Sequence, residues 1–136
     1  MREILFRAKA AHTIDHEWLY GYVCAAPWEP EGMMIICVTE DGNAGGETVI
    51  PETVGQFTGL TDKNGKKIFE GDIVSVLHEG IYRCYWDEGN LEFGLANEKE
   101  SFGIAYASRD IFIIGNIHDD PELLKEDTYE ENPDTV

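Results

Sequence analysis

Two histidines four residues apart are the first residues of the chain whose types and spacing could do chemistry. His12 and His16 have Asp15 and Glu17 beside them. On a helix such residues share one face, where imidazoles and carboxylates could hold a metal ion that activates water for hydrolysis. The sequence does not predict a helix of sufficient length here and supplies no clear third ligand. We expect a solvated loop, and a metal-dependent hydrolase using His12 and His16 remains an alternative.

A thiol and an imidazole form the second candidate set. Cys84 and His78 lie on neighbouring strands of one predicted hairpin, where a base could activate a nucleophilic thiol. Tyr85 and Trp86 follow Cys84 directly, and such neighbours favour a packed, apolar thiol. We therefore predict no catalytic residue, no cofactor-binding residue and no metal ligand, and the chain is not expected to be an enzyme.

Aromatic residues are the third set, and binding rather than catalysis is the chemistry that they could perform. One group lies on two adjacent predicted strands and another on an earlier strand: Tyr82, Tyr85, Trp86 and Phe93, then Trp18, Tyr20 and Tyr22. Exposed aromatic rings bind peptides and cationic side chains, whereas buried rings form a core. Because strand residues alternate between faces, Tyr82 and Trp86 share a face and Tyr85 lies opposite. The sequence leaves open which face is exposed.

The balance of charge limits the partners. The chain has 136 residues, with 10 Lys and Arg against 27 Asp and Glu, which gives a net charge of −17. So strong a negative charge opposes binding to nucleic acid or to an anionic membrane. Residues 117–136 alone carry eight acids and one base, or −7, which leaves −10 for the rest. We interpret this as a solubilising surface and tail; the alternative is an acidic surface that attracts a basic partner or imitates DNA to inhibit a DNA-binding protein.

Three cysteines and the N-terminal residues indicate the cellular compartment in which the protein is expected. Cys24, Cys37 and Cys84 are odd in number and form no Cys-x-x-Cys motif, which is typical of reduced thiols in a cytoplasmic protein. Charged residues interrupt the first seven positions too early for a signal peptide. No apolar run approaches the roughly 20 residues of a membrane span.

Short β-strands must position all these residues, so we predict a mainly β protein. Residues 1–54 are expected to form an N-terminal β subdomain, with a flexible turn at residues 41–46 and a helical turn near residues 51–54. Its strand at residues 33–39 is apolar on both faces, so a second subunit is expected to cover it and a homo-oligomer is predicted.

The second part begins with a hairpin. Asn64-Gly65 predicts a type I′ turn, in which both residues have positive φ, between residues 58–63 and 66–69. Five further strands between Asp72 and Ile117, including one at residues 102–106, predict a small SH3-like barrel over residues 55–120. Residues 121–136 are expected to form a short helix, with Asp120 as N-cap and Pro121 at its first position, and then an acidic tail.

The stretch that contains this hairpin also carries a family resemblance. The run Gln-Phe-Thr-Gly-Leu-Thr-Asp-Lys-Asn-Gly-Lys-Lys-Ile-Phe-Glu-Gly-Asp-Ile-Val at residues 56–74 resembles the motif of the YopX family of phage and prophage proteins. The first eight residues look like that family's beginning, and Ile-Gly-Asn-Ile-His at residues 114–118 looks like its end. Residues 10–47 match only loosely.

The resemblance implies a mainly β, partly barrel-like protein encoded by a phage or prophage and active inside a bacterial cell. It implies no reaction, and it transfers no catalytic residue. With the charge and the aromatic strands, it favours a non-enzymatic accessory protein that contacts a basic or proline-rich surface of a host or phage protein.

Overall fold

The structure, a computed structural model, describes residues 3–28, 32–38, 42, 44–107 and 110–124. The chain divides into two compact units, Met1–Gly59 and Leu60–Val136. Two antiparallel sheets account for most of the described residues, so the predicted mainly β class is confirmed. The predicted division into residues 1–54, 55–120 and 121–136 stays a prediction.

The first sheet is built largely from the first unit. Its order is β4-β3-β2-β1-β5-β6. The strands are β1 (Phe6–Lys9), β2 (Trp18–Ala25), β3 (Met33–Val38), β4 (Ala44–Val49), β5 (Gly55–Thr61) and β6 (Lys67–Phe69). A 3-10 turn at Pro51–Thr53 occupies the place of the predicted helical turn.

The end of β1 lies beside the end of β4. Ala11 N–H donates to the Thr48 carbonyl and Ile50 N–H to the Lys9 carbonyl, both at 2.9 Å, on either side of an isolated bridge between Ala10 and Val49. The sheet is therefore strongly curled around a small core of Ala8, Ile35 and Val49, packed by Leu19, Val23, Met33, Cys37 and Val54.

The flexible turn predicted at residues 41–46 is wrong for its second half. Ala44, Gly45 and Gly46 belong to β4 and pair with β3. Pairing with the apolar strand β3 overrides the low intrinsic strand preference of glycine. Gly42 has a φ of +86° and turns the chain before β4 begins, while residues 41 and 43 lie outside the described residues.

The second sheet lies in the second unit, in the order β10-β9-β8-β7-β11. Its strands are β7 (Asp72–Val76), β8 (Gly80–Asp87), β9 (Glu92–Ala96), β10 (Ser101–Gly103) and β11 (Ile111–Asn116). The strand predicted at residues 102–106 is half wrong, because a 3-10 turn occupies Ile104–Ala107. Among the described residues β10 and β11 do not pair, so a closed SH3-like barrel is not confirmed.

The core of this unit is formed mainly by one face of this sheet, joined by Ile68 from β6 and Ile104 from the 3-10 turn. Its other members are Val74, Val76, Tyr82, Cys84, Phe93, Leu95 and Ile111. Of the predicted C-terminal helix, the described part is helical at residues 122–124. A side chain at Gly115 would come within 2.8 Å of Leu123 Cδ1, so the absence of a side chain lets this turn pack against β11. Asp120 Oδ2 accepts from Asn116 N–H at 3.2 Å. The predicted acidic tail lies outside the described residues.

The hairpin between β5 and β6 has a different turn from the predicted one. Only Gly65 has a positive φ, +83°, and Asn64 does not. Gly65 N–H donates to the Asp62 carbonyl at 3.0 Å, and Asp62 N–H donates to the Lys66 carbonyl at 2.7 Å. These bonds describe a type I turn followed by a left-handed glycine. Asp62 selects this turn, because its Oδ1 accepts the N–H groups of Asn64 and Lys66, both at 2.9 Å.

The same carboxylate also holds a distant strand. Asp62 is buried, and its Oδ2 accepts from Ile113 N–H at 3.0 Å, 51 residues along the chain. Burial raises the pKa of Asp62, but the three backbone donors and the Lys66 ammonium outweigh it and hold the pKa below its ordinary value.

We expect Asp62→Asn to lower the free energy of unfolding by about 2–3 kcal/mol, because charged acceptors form the stronger hydrogen bonds. A carboxyl with a lowered folded pKa stabilises the protein above its unfolded pKa of about 4 and loses this effect as the pH falls through the folded value. The difference between the two proteins, measured by urea unfolding, should therefore shrink below about pH 4. Asp110→Asn, which removes only a half-exposed partner 3.8 Å from Lys63 Nζ, is the control and should cost under about 1 kcal/mol. An equal cost for both variants would contradict this role of Asp62.

The turn between β8 and β9 holds a leucine in an unfavourable conformation. Leu91 has a φ of +53° and is 75% exposed. Residues other than glycine cost about 1–2 kcal/mol in this region. Leu91→Gly should therefore be more stable than Leu91→Ala by about 1 kcal/mol, the reverse of the usual order at extended positions. Thermal unfolding of the two variants measures the difference, and a more stable alanine variant would show that Leu91 is not strained.

Candidate functional site

The first candidate, the aromatic hairpin of the second unit, proves to be largely core. Tyr82 is fully buried and Phe93 is buried, whereas Trp86 at 38% exposure packs edge-to-face on Phe93 with ring centroids 4.9 Å apart. The Tyr82 hydroxyl donates to the Glu79 carbonyl at 3.1 Å and lies 2.5 Å from Glu100 Oε2. Tyr82 and Phe93 are used for packing, and Trp86 is partly exposed.

Tyr85 lies on the opposite face, as alternation predicted, but it does not form an open platform. The Arg83 guanidinium lies 5.1 Å from the centroid of its ring. Across the sheet, a side chain at Gly94 would come within 2.9 Å of Tyr85 Cε1, so the ring lies on the glycine backbone. Tyr85 is half-buried as a result.

The candidate catalytic and metal-binding residues are placed as follows. Cys84 is buried in the core of the second unit, while His78 is exposed in the turn before β8 with a φ of +67°. In the first unit, His12 and His16 are both exposed, and His16 Nδ1 lies 2.8 Å from the Ala10 carbonyl oxygen. Within the described ranges no three His, Cys, Asp or Glu side chains gather as a metal site would require. The hydrolase alternative remains a prediction that the structure does not advance.

The strongest candidate is the outward face of the first sheet. Strand β2 alternates, so that Tyr20 and Tyr22 point outward while Leu19 and Val23 join the core. Tyr22 is directly opposite Ile36 on β3, and Met34 shares the face of Ile36. We call the set Tyr20, Tyr22, Trp28, Met34 and Ile36 the aromatic face.

Two features shape this face. Trp28 follows β2, and its indole N–H donates to Thr48 Oγ1 on β4 at 3.1 Å, which fixes the ring against the sheet. Gly21 is required between the two tyrosines, because any side chain there would overlap the Ile36 carbonyl. Tyr20, Tyr22 and Trp28 are 48%, 56% and 58% exposed, so three large rings present about half of their surface to solvent within one unit.

Cations border the face at its β1 end. The Arg7 guanidinium lies 4.6 Å and the Lys9 ammonium 5.5 Å from the ring of Trp18. Arg7 is buried, so its guanidinium packs beneath the indole as well as carrying charge. These are two of the three basic residues in the first 59 positions.

Rings of this kind, with an apolar body and a polar tip, suit the binding of an extended peptide segment. The aromatic group Trp18, Tyr20 and Tyr22 on one predicted strand had already marked β2 as a candidate binding element. Trp28 was missed, because it lies beyond the strand and only its hydrogen bond to Thr48 brings it to the same surface.

None of the helices among the described residues is long and apolar enough to cross a membrane. No curated protein matches the chain. Among solved structures, the chain is similar to the protein EF1440 from Enterococcus faecalis, with 26% identity and a TM-score of 0.55, over 91% of this chain and 99% of that one.

A family model described as YopX protein matches residues 6–125, which is most of the chain. The match includes the hairpin motif at residues 56–74 and the Ile-Gly-Asn-Ile-His segment near the C-terminal end, on which the resemblance in the sequence depended. The chain belongs to the YopX family.

Proposed function

We propose that this protein is a non-enzymatic interaction module that binds a segment of another protein on its aromatic face. The observation that carries the proposal is the half-exposure of Tyr20, Tyr22 and Trp28 on one side of a single sheet. Rings packed for structural reasons alone are more deeply buried, as Tyr82 and Phe93 are. The net charge of −17 favours a basic segment, and the aromatic rings suit one that is rich in proline.

The setting proposed for this activity is a bacterial cytoplasm, with the protein encoded by a phage or prophage and its partner a host or phage protein. Family membership and three free cysteines support the setting. We further propose that the second unit is a relative of the SH3 barrel. Its sheet order, with β7 between β8 and the last strand β11, and the 3-10 turn before β11 support this assignment.

Self-association is also proposed. Strand β3 is covered on its inward face, where Ile35 is fully buried, but Met34 and Ile36 on the other face are only half-buried. An apolar strand with one open face gains stability from a second copy that covers it or extends its sheet.

The binding proposal is tested with Tyr22→Ser combined with Trp28→Ser in a pull-down from bacterial lysate at low and high salt. Both side chains are more than half exposed, so the substitutions should leave folding intact. We expect the wild-type protein to retain a specific partner. The double variant should retain at least tenfold less of that partner, because aromatic anchors supply much of the affinity at such interfaces.

Leu91→Ser is the matched control, since it removes an exposed apolar side chain from the second unit. It should retain the partner as the wild-type protein does. A partner held equally by the wild-type protein and the double variant would place the binding surface elsewhere, and no partner at either salt concentration would count against an interaction module.

A further inference from the structure

We infer that two copies of this chain join edge to edge through β4, so that their first sheets continue into one another. The inference rests on the proposed self-association and specifies its geometry. It starts from the free edge of β4, the last strand of the first sheet. Ala44, Gly45, Gly46 and Glu47 are all exposed there.

The directions of the backbone groups on β4 follow from its hydrogen bonds. In an antiparallel strand, the N–H and C=O of one residue point to the same side, and neighbouring residues alternate. The Thr48 carbonyl accepts from Ala11, on the side away from β3. Gly46 and Ala44 therefore also point away from β3, and within the described part of the chain nothing bonds to these outward groups.

Apart from the charge of Glu47, the edge lacks the features that usually protect it. Edge strands commonly carry lysine, proline or a bulge that prevents pairing with another chain. Residues 44–47 read Ala-Gly-Gly-Glu, and β4 pairs with β3 in an unbroken register. Such a segment is flat, nearly free of side chains and open to a further strand.

A second copy fits this edge better than a longer foreign strand. Beyond Glu47 the edge is occupied, because Ala10 and Ala11 lie against Val49 and Thr48. A long strand would meet this obstruction. A second β4, antiparallel and with Gly45 opposite Gly45 of the second copy, places Ala44 opposite Gly46 and exchanges four hydrogen bonds. In this register Gly42 of the second copy lies opposite Thr48 of the first, next to Ala11. The second chain turns at Gly42 and so does not collide with Ala11.

Charge and packing agree with this register. Glu47 is the one charged residue of β4. The two Glu47 residues would lie four positions apart along the paired strands, about 13 Å, where their repulsion is largely screened at physiological salt. The Met34 side chain lies over Gly46, since any side chain at position 46 would overlap the Met34 Cε. Each Met34 would then lie beside Ala44 of the second copy and form an apolar strip across the junction.

Sedimentation of the full chain at micromolar concentrations, with Ala44→Pro, tests the inference. Ala44 is exposed and begins β4, where proline is tolerated, and its N–H points away from β3. Proline removes that donor and places its ring in the path of a second strand. We expect a dimer for the wild-type protein and at least tenfold weaker dimerisation for Ala44→Pro. Ala44→Ser, which keeps the N–H, should dimerise as the wild-type protein does.

A cross-link keeps the test decisive if proline disturbs folding. Gly45 of each copy would occupy a non-hydrogen-bonded pair, with Cα atoms about 4.5 Å apart, which suits a disulfide. A side chain at Gly45 meets nothing within 4 Å. Because Cys37 lies opposite Gly45 on β3, the background removes it together with the exposed Cys24. Gly45→Cys should therefore oxidise rapidly to a covalent dimer in a Cys24→Ser, Cys37→Ala background, and Glu47→Cys should not.

The outcomes separate the two proposals. A wild-type monomer would overturn self-association and with it the β4 junction. A wild-type dimer that survives a correctly folded Ala44→Pro, or that gives no cross-link through Gly45→Cys, would overturn the β4 junction alone. Neither result bears on the binding of a foreign segment to Tyr22 and Trp28.

Discussion

The carboxylate of Asp62 is the constraint on which the second unit depends. It accepts two N–H groups within its own turn and a third from Ile113 on the last strand. One side chain thus determines a local turn and ties it to a strand 51 residues away. A buried, ionised carboxylate is tolerated because both of its oxygens accept hydrogen bonds from backbone N–H groups. The part of the family motif around Asp62 is therefore explained by folding.

The first unit follows a different rule. Among the described residues its core cluster is small, built on Ala8, Ile35 and Val49, and its sheet curls until β1 and β4 meet. A small, curled sheet has little inner surface, so many large side chains must lie outside it. The aromatic face lies on this outer side of the sheet. A hydrogen bond between Trp28 and Thr48 holds one part of that face in place, and Arg7 packs beneath Trp18 at its border.

Much of this could be read from the sequence. Tyr20 and Tyr22 were placed together on one predicted strand, and the motif at residues 56–74 identified the family. The turn at Asn64-Gly65 was located correctly but given the wrong type, because the competing bonds of Asp62 are a tertiary property that the dipeptide does not carry. Ala44–Gly46 was predicted to be a loop, because its composition reports only the segment's intrinsic preference. Pairing with the neighbouring strand β3 is a tertiary effect that composition does not show. The position of Trp28 depends on a contact 20 residues away.

The methionine over Gly46 has a chemical consequence. A thioether lying flat on an exposed strand can be oxidised, and the sulfoxide is polar and bulkier than the thioether. Met34 has no side chain beneath it to shield the sulfur at Gly46, and it is half-buried on an open face. Oxidation would place a strong hydrogen-bond acceptor between the rings and the edge of the sheet. The surface best suited to contact other chains is thereby also the one whose character an oxidising environment could change.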